Sequence, residues 1–390
     1  MCKFVVENRK MKVVYIYTSF TIAGGADRVV IEKANYLAEY GFDVILLTDS
    51  QKNRQPFFQI SKKVRCHDLG IDFEQEYKYN PLIRIFIYKK LMKKYKNDLH
   101  EFIKLEKPEF VITTLGREID FITDLNDGSI KIGESHIAKP YIRNLHLLDK
   151  TSLLHRMIAR MWMKKIIRNC KKLDALVLLT ENDAKEWKNL TKTFVIPNAL
   201  PFYSEEISKC KKHQAIFVGR MSEQKGYDYL IKAWESVYDK HPDWILNIYG
   251  DGEEKEEIKK MIVQKGLNKV IILNGTTKNI QEKYINSSLC ILSSRFEGFG
   301  MVLLEAMSCG VPCIAFNCPY GPSEIIHHNE DGYLADYLNS DSLSNYICQL
   351  IEDESLRILM GQKAHINIQR YNKEDIMRKW IGLFNSLKKY

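Results

Sequence analysis

No stretch of eighteen apolar residues occurs anywhere in these 390 residues, so no spanning helix is predicted. The opening, Met1 to Lys12, is mixed and charged and lacks the apolar core of a secretory signal. Cysteine is odd in number, nine, and never falls as a C-x-x-C pair. Cys309, Cys313 and Cys318 are spaced by three and four residues and not as a C-x-x-C pair, so no metal site is expected there, and Cys290 and Cys313 sit inside apolar runs. Buried thiols in a reducing cytoplasm are the reading that follows. There is no low-complexity segment. These absences argue against a spanning helix, a disulfide scaffold and a low-complexity chain.

What is present fits a soluble globular protein: 45% hydrophobic and 27% charged residues, with enough chain for two cores. The length suits two domains of just under 200 residues each. The net charge of +9 is unevenly spread. Residues 1–200 hold 35 Lys and Arg against 24 Asp and Glu, a balance of +11, and the remainder is −2. A basic half implies an anionic partner on that side: a membrane surface, a phosphorylated acceptor or nucleic acid.

Both halves begin alike. Val13–Tyr17 reads as a strand, Gly24-Gly25 as a tight loop, Ala26–Tyr40 as a helix stopped by Gly41, and Asp43–Thr48 as a strand. In the second half Ala215–Val218 is a strand, Gly219 to Gly226 a loop, Tyr227–Tyr238 a helix and Ile245–Tyr249 a strand. Helix 253–265, strand 270–273, helix 280–286 and strand 312–316 continue the alternation. Repeated βαβ units predict two Rossmann-like, doubly wound α/β domains. The boundary is expected at Pro197-Asn198-Ala199-Leu200-Pro201, giving domains 1–198 and 199–370, with helix 371–390 able to pack back on the first. Ligands bind at the carboxyl ends of such strands, so both sets of loops are expected to line one cleft.

The chemistry concentrates where the run Leu289–Ser293 empties into Arg295-Phe296-Glu297-Gly298-Phe299-Gly300, ahead of a helix over 301–308 carrying Glu305. Glycines let backbone approach a ligand, and the first N–H groups of a helix suit an anion such as a diphosphate. Carboxylates accept hydrogen bonds from hydroxyls. Diphosphate plus hydroxyls describes a nucleotide sugar. Arg220 and Lys225, in the loop after the first strand of the second half, can neutralise the diphosphate, the arginine bidentately and the lysine as a point charge.

Phe217-Val218-Gly219-Arg220 with Lys225-Gly226, the turn Tyr249-Gly250-Asp251-Gly252, the pair Glu297 and Glu305, and Gly310-Val311-Pro312 resemble the family 4 retaining glycosyltransferases of GT-B fold. Gly24-Gly25-Ala26 is similar to that family's N-terminal loop. The resemblance covers essentially the whole chain, specifically in the second half and loosely in the first. It implies a hexosyltransferase that takes a UDP-linked sugar, without a protein nucleophile, to a glycan or lipid-linked glycan. The setting it implies is surface polysaccharide, capsule or lipopolysaccharide synthesis.

On that resemblance Glu297 binds sugar hydroxyls, Glu305 the ribose, and Arg220 and Lys225 the diphosphate. Gly219 and main-chain N–H groups at Gly24, Gly25, Gly298, Phe299, Gly300 and Met301 assist. The base rests near Asn274 and Thr276. His136, in Glu134-Ser135-His136, is the histidine expected at the donor sugar, although family members often have Glu and His adjacent where Ser135 intervenes here. Asp-x-Asp, the pattern of metal-dependent sugar transferases, is absent, so neither metal nor other cofactor is expected.

Residues 82–104 form a helical pattern of their own. Tyr88, Leu91, Met92, Tyr95, Leu99, Phe102 and Ile103 make an apolar stripe, and Lys89, Lys90, Lys93, Lys94 and Lys96 lie opposite. Leu82, Ile83, Phe86 and Ile87 lie beside the basic arc, as in a helix whose end dips into a bilayer. Arg156, Arg160, Lys164 and Arg168 recur every four residues on a second helix. The expectation is a cytoplasmic enzyme, peripheral at the inner face of the plasma membrane and bound to anionic lipid. A nucleotide-sugar epimerase of the same fold is the alternative. A nucleic-acid module has no motif in its favour, so no nucleic-acid partner is expected.

Overall fold

Short runs of Val, Ile, Leu and Phe, apolar on both faces, make buried parallel strands, and amphipathic segments between them make the crossover helices. The computed structural model describes residues 10–388 apart from 23, 150, 151, 189 and 191. The chain divides into two units, Met1–Ile196 with Met377–Tyr390, and Pro197–Ile376. The first unit thus ends two residues before the expected boundary. The last helix joins it from Met377 and not from 371.

Unit 1 runs β1 (Lys12–Tyr17), α1 (Gly25–Tyr40), β2 (Asp43–Thr48), β3 (Arg65–Asp68), α2 (Pro81–Glu106), β4 (Phe110–Thr113) and β5 (Ile130–Glu134). It continues with α3 (Leu145–Asp149), α4 (Leu153–Cys170), β6 (Ala175–Leu178), α5 (Glu181–Glu186) and β7 (Thr193–Val195). Its seven strands lie in the order β3-β2-β1-β4-β5-β6-β7, all parallel. One core packs Val14, Ile16, Ile45 and Leu47 of the sheet against Tyr95, Leu99 and Ile103 of α2.

Unit 2 runs β8 (Gln214–Val218), α6 (Tyr227–Lys240), β9 (Ile245–Tyr249), α7 (Lys255–Gln264), β10 (Ile271–Leu273), α8 (Ile280–Ile285) and β11 (Leu289–Leu292). Then come α9 (Met301–Ser308), β12 (Cys313–Phe316), α10 (Pro322–Ile325), β13 (Gly332–Ala335), α11 (Ser340–Glu352), α12 (Glu354–Asn367) and α13 (Lys373–Leu387). Its parallel sheet has the order β10-β9-β8-β11-β12-β13. Strand order reverses between β1 and β4 in one unit and between β8 and β11 in the other. Such reversals are where doubly wound sheets open a crevice for ligands.

In α2 the predicted stripe is the packed face: Leu91, Tyr95, Leu99 and Ile103 are buried, and Tyr88, Met92 and Phe102 pack at the core's edge. All five lysines of the opposite arc are exposed. Ile83 and Phe86 are exposed too, but Ile87 packs against the core, which corrects its placement on the basic side. The Leu82 side chain lies outside those described.

Candidate active site

The β8/β11 reversal in unit 2 brings together the two loops that carry the expected donor-binding residues. Gly226 is left-handed at φ 63°, and a Cβ there would sit 2.2 Å from the carbonyl oxygen of Ser293. Only glycine lets the loop after β8 press onto the loop after β11. Ser293 Oγ then donates to the carbonyls of Lys225 (2.9 Å) and Gly226 (3.0 Å). Arg295 N–H donates to Gln224 O at 2.8 Å, and Gln224 Nε2 to Phe296 O at 3.0 Å.

This stitching sets Lys225 against Glu297. Lys225 Nζ donates to Glu297 Oε1 at 2.7 Å, and Ser294 Oγ donates to the same oxygen at 2.6 Å. Glu297 is buried, and both bonds fall on Oε1. Oε2 accepts none among the described residues, so one carboxylate edge is fixed while the other stays open to a hydroxyl. Arg220 is exposed and has no carboxylate partner among the described residues. An always-protonated fork held in solvent at a strand end suits a phosphate.

After Glu297 the chain enters α9 through Gly300, left-handed at φ 103°. The N–H groups of Gly298, Phe299 and Gly300 have no protein acceptor among the described residues. Glu305 is buried inside α9 and accepts from Tyr284 Oη at 3.1 Å. Burial, then the Glu305 charge, raises the Tyr284 phenol well above its usual pKa, which keeps it a donor. Gly219 N–H donates to Tyr249 O, and Gly250 N–H to Gly275 O, which brings the β8, β9 and β10 loops side by side. Asn274 and Thr276 are exposed there, with Asn274 Nδ2 3.1 Å from Asn247 Oδ1. Among the described residues no group of three His, Cys, Asp or Glu side chains could hold a metal ion.

In unit 1, Gly24 caps α1 and Gly25 is its first residue. A Cβ on Gly24 would lie 2.5 Å from Asp27 Oδ2, which also receives Tyr17 Oη at 3.1 Å. The close approach at this glycine is therefore made by the movable end of an acid in the helix's own first turn. That turn is thus partly neutralised without any ligand.

His136 follows β5. Its Nε2 lies 3.3 Å from Glu134 Oε1, and both ring nitrogens are buried without a hydrogen-bond partner among the described residues. Glu134 is fully buried and ion-paired with Lys33 of α1, whose Nζ stands 4.0 Å from the Trp380 ring centroid. Burial pushes the His136 pKa below its ordinary value, partly offset by Glu134 and reinforced by Lys33. Burial opposes the Glu134 charge, yet Lys33 and His136 beside it hold the carboxyl below the usual range. Burial likewise lowers Lys33, against the pull of Glu134. Tyr15, buried beside them, has a hydroxyl with no hydrogen-bond partner among the described residues.

A second buried group escaped the sequence reading. Asp49 follows β2 and Glu118 follows β4, and both are buried. Burial, then the Glu118 charge, pushes Asp49 up to about 8, with Arg117 opposing and Asp68 adding. Glu118 accepts from Thr113 Oγ1 and from Gly116 N–H at 3.1 Å. The signal for Lys33 was visible, a lysine on the apolar face of α1. The signals for Tyr284, Ser294, Asp49 and Glu118 were not, because each needs the strand order.

Residues 203–366 match the family of glycosyl transferases group 1. That segment is most of unit 2, so the likeness to the glycosyl transferases group 1 family lies in the unit that carries the Lys225–Glu297 site. Over 382 residues the chain is 28% identical to an uncharacterized glycosyltransferase of Haemophilus influenzae, covering 95% of this chain and 99% of that relative. It is 28% identical over 387 residues to the amylovoran biosynthesis glycosyltransferase AmsD of Erwinia amylovora, covering 96% and 99%. A crystal structure of an S. aureus TarM mutant in complex with Fondaparinux, alpha-GlcNAc-glycerol and UDP has a TM-score of 0.79. Its sequence identity is 18%, and the match covers 96% of this chain and 100% of that one. At that identity the likeness shows the fold, two Rossmann-like units as in GT-B glycosyltransferases.

Proposed function

We propose that this chain is a family 4 retaining hexosyltransferase working in the synthesis of a cell-surface polysaccharide. It would move a sugar from a UDP-linked donor to a glycan acceptor held on a lipid. The observation that supports this best is the pinned carboxylate of Glu297, with Lys225 and the open N–H groups of Gly298 to Gly300 beside it. The likeness to the amylovoran biosynthesis glycosyltransferase AmsD and to the UDP-bound TarM complex supports the same reading.

In the proposed reaction the bond from the sugar's anomeric carbon to the diphosphate oxygen breaks. The acceptor oxygen bonds to that carbon on the same face. The acceptor's proton passes to the departing diphosphate, giving UDP and a glycoside. Arg220, Lys225 and the start of α9 stabilise the charge that builds on the diphosphate. Glu297 Oε2 holds a sugar hydroxyl, Glu305 the ribose, and neutral His136 offers the sugar an imidazole. No metal takes part. Lys89, Lys90, Lys93, Lys94 and Lys96 on α2 draw the enzyme to the anionic inner face of the plasma membrane.

The test is a screen of UDP-sugars for slow hydrolysis and for transfer to lipid-extracted glycans, with the anomer of the product read by NMR. Release of one sugar and a retained anomer is the expected result. No UDP binding and no turnover with any donor would overturn the reading, and an inverted anomer would overturn the mechanism.

A further inference from the structure

The least expected surface of unit 1 is on α4. Leu153, Leu154, Met157 and Met161 are 76, 65, 62 and 66% exposed, and Trp162 is 40% exposed. The helix is nevertheless firmly seated. Ala159, Ile166, Asn169 and Cys170 are buried on its inner side, and Lys165 Nζ pairs with Asp120 at 2.9 Å. At 100° per residue Leu154, Met157 and Met161 share one outward sector, with Arg160, Lys164 and Arg168 interleaved. The helix contains no Asp or Glu at all. Arg160, Lys164 and Arg168 have no carboxylate partner among the described residues.

We infer that α4 is a membrane-inserting face, seated in the headgroup and upper acyl layer of an anionic bilayer. This rests on the proposed transfer to a lipid-held acceptor. Exposed leucines and methionines in contact with water gain nothing, and monomeric proteins seldom cluster them. Interleaved cations without counter-ions supply the complementary charge for acidic headgroups. A protein partner would suit the apolar residues but would have to bring its own acids to each cation. On α2, by comparison, the lysines are exposed but Lys94 already pairs with Asp98, and the apolar stripe is spent on the core, which leaves Ile83, Ile85 and Phe86 exposed in the first turns and away from most of the lysines. On this inference α2 attracts from a distance while α4 inserts.

Trp162 makes the inference measurable, because Trp187, Trp234, Trp244 and Trp380 are all buried. Full-length protein is mixed with vesicles of phosphatidylglycerol and phosphatidylcholine, or of phosphatidylcholine alone, and followed by flotation and by tryptophan fluorescence. The wild type is expected to float with the anionic vesicles and shift its emission to shorter wavelength, and Trp162→Phe should lose the shift while still floating. A Leu154→Ser, Met157→Ser, Met161→Ser variant should lose both. An Arg160→Gln, Lys164→Gln, Arg168→Gln variant should bind on the order of a hundredfold more weakly, at about fivefold per charge. UDP binding should be unchanged in all of them, since every substituted side chain is exposed and outside the donor site.

Flotation of both α4 variants like wild type would overturn the inference. If in that case only substitution of the five α2 lysines released the protein, the membrane reading would stand without α4. A wild type that ignores anionic vesicles while binding UDP would overturn both the inference and the membrane reading, leaving the transferase. Binding to soluble polyphosphate without flotation would assign the face to an anionic polymer and overturn it too.

Discussion

Lys225 and Glu297, 72 residues apart in the chain, meet at 2.7 Å, and the contact joins the two loops at the strand-order reversal of unit 2. A cation proposed for a diphosphate and a carboxylate proposed for a sugar hydroxyl are therefore each other's partner. Each holds the other in place, and neither stands as an unpaired charge.

Removing either member should thus be worse than removing one contact. Lys225→Ala and Arg220→Ala should each lower kcat by about 10²–10³-fold, since losing one donor to a developing anion costs about 3 kcal/mol. Glu297→Gln should depress turnover more than UDP affinity. In a double-mutant cycle Lys225 and Glu297 should be strongly non-additive, while Arg220 and Glu297 should add. Near-normal turnover in the Arg220 and Lys225 variants would place the diphosphate elsewhere.

Tyr284→Phe should weaken UDP binding several-fold with little change in kcat, because a neutral donor to a buried carboxylate is lost from Glu305, the residue assigned to ribose. Glu305→Gln should weaken it further. Calorimetric titration with UDP decides the matter, and an unchanged Kd in both variants would detach Glu305 from the nucleotide.

Asp49 gives stability a slope of definite sign. Its folded pKa, about 8, lies above the unfolded value near 4, so between those limits the folded state binds more protons. Stability attributable to this group is therefore present at low pH and lost as pH rises towards 8. Asp49→Asn should raise the melting temperature at pH 8 and leave it nearly unchanged at pH 4. A variant less stable than wild type at pH 8 would show that the carboxylate has a partner when ionised.

His136 has the opposite slope. Its folded pKa lies below the ordinary 6.5, so in the window beneath 6.5 the unfolded state binds more protons and stability falls on acidification. The acid limb of kcat that belongs to His136 should then also fall below pH 6.5. His136→Gln should flatten both profiles. A limb at or above 6.5 that disappears in the variant would contradict a buried neutral imidazole.

Transfer should survive chelation. The expectation comes from the missing Asp-x-Asp and the two cations of the β8 loop, and it is checked by assay in EDTA. Complete loss, restored by magnesium or manganese, would overturn it.

The alternation of strand runs with amphipathic helices made the fold legible. Strand 43–48 and helix 301–308 fall where the residues alone put them. Glycine loops at strand ends marked Gly219–Gly226 and Gly298–Gly300 for the same reason. That Asp27 folds back onto Gly24 was not legible, because side-chain fold-back leaves no trace in residue spacing. Ile87 was read as part of a membrane edge, yet it packs inwards. The wheel could not say how wide a stripe the core of unit 1 takes. Asp49 and Glu118 were invisible for a deeper reason, since 69 residues separate them and only the sheet order brings β2 and β4 near.

The helix α13 begins in unit 2 and finishes in unit 1, where Phe384 packs within 5.8 Å of Phe42 and 4.7 Å of Phe110, and Trp380 covers Lys33. Domains ordinarily fold in the order in which they leave the ribosome. Here the half that is translated first lacks part of its core until residues 377–387 have emerged, by which time unit 2 has been made. The nascent amino-terminal half must wait with Phe42, Phe110 and the Lys33–Glu134 pair uncovered. A ribosome stalled before residue 377 would therefore display a protease-sensitive first half beside a resistant second one.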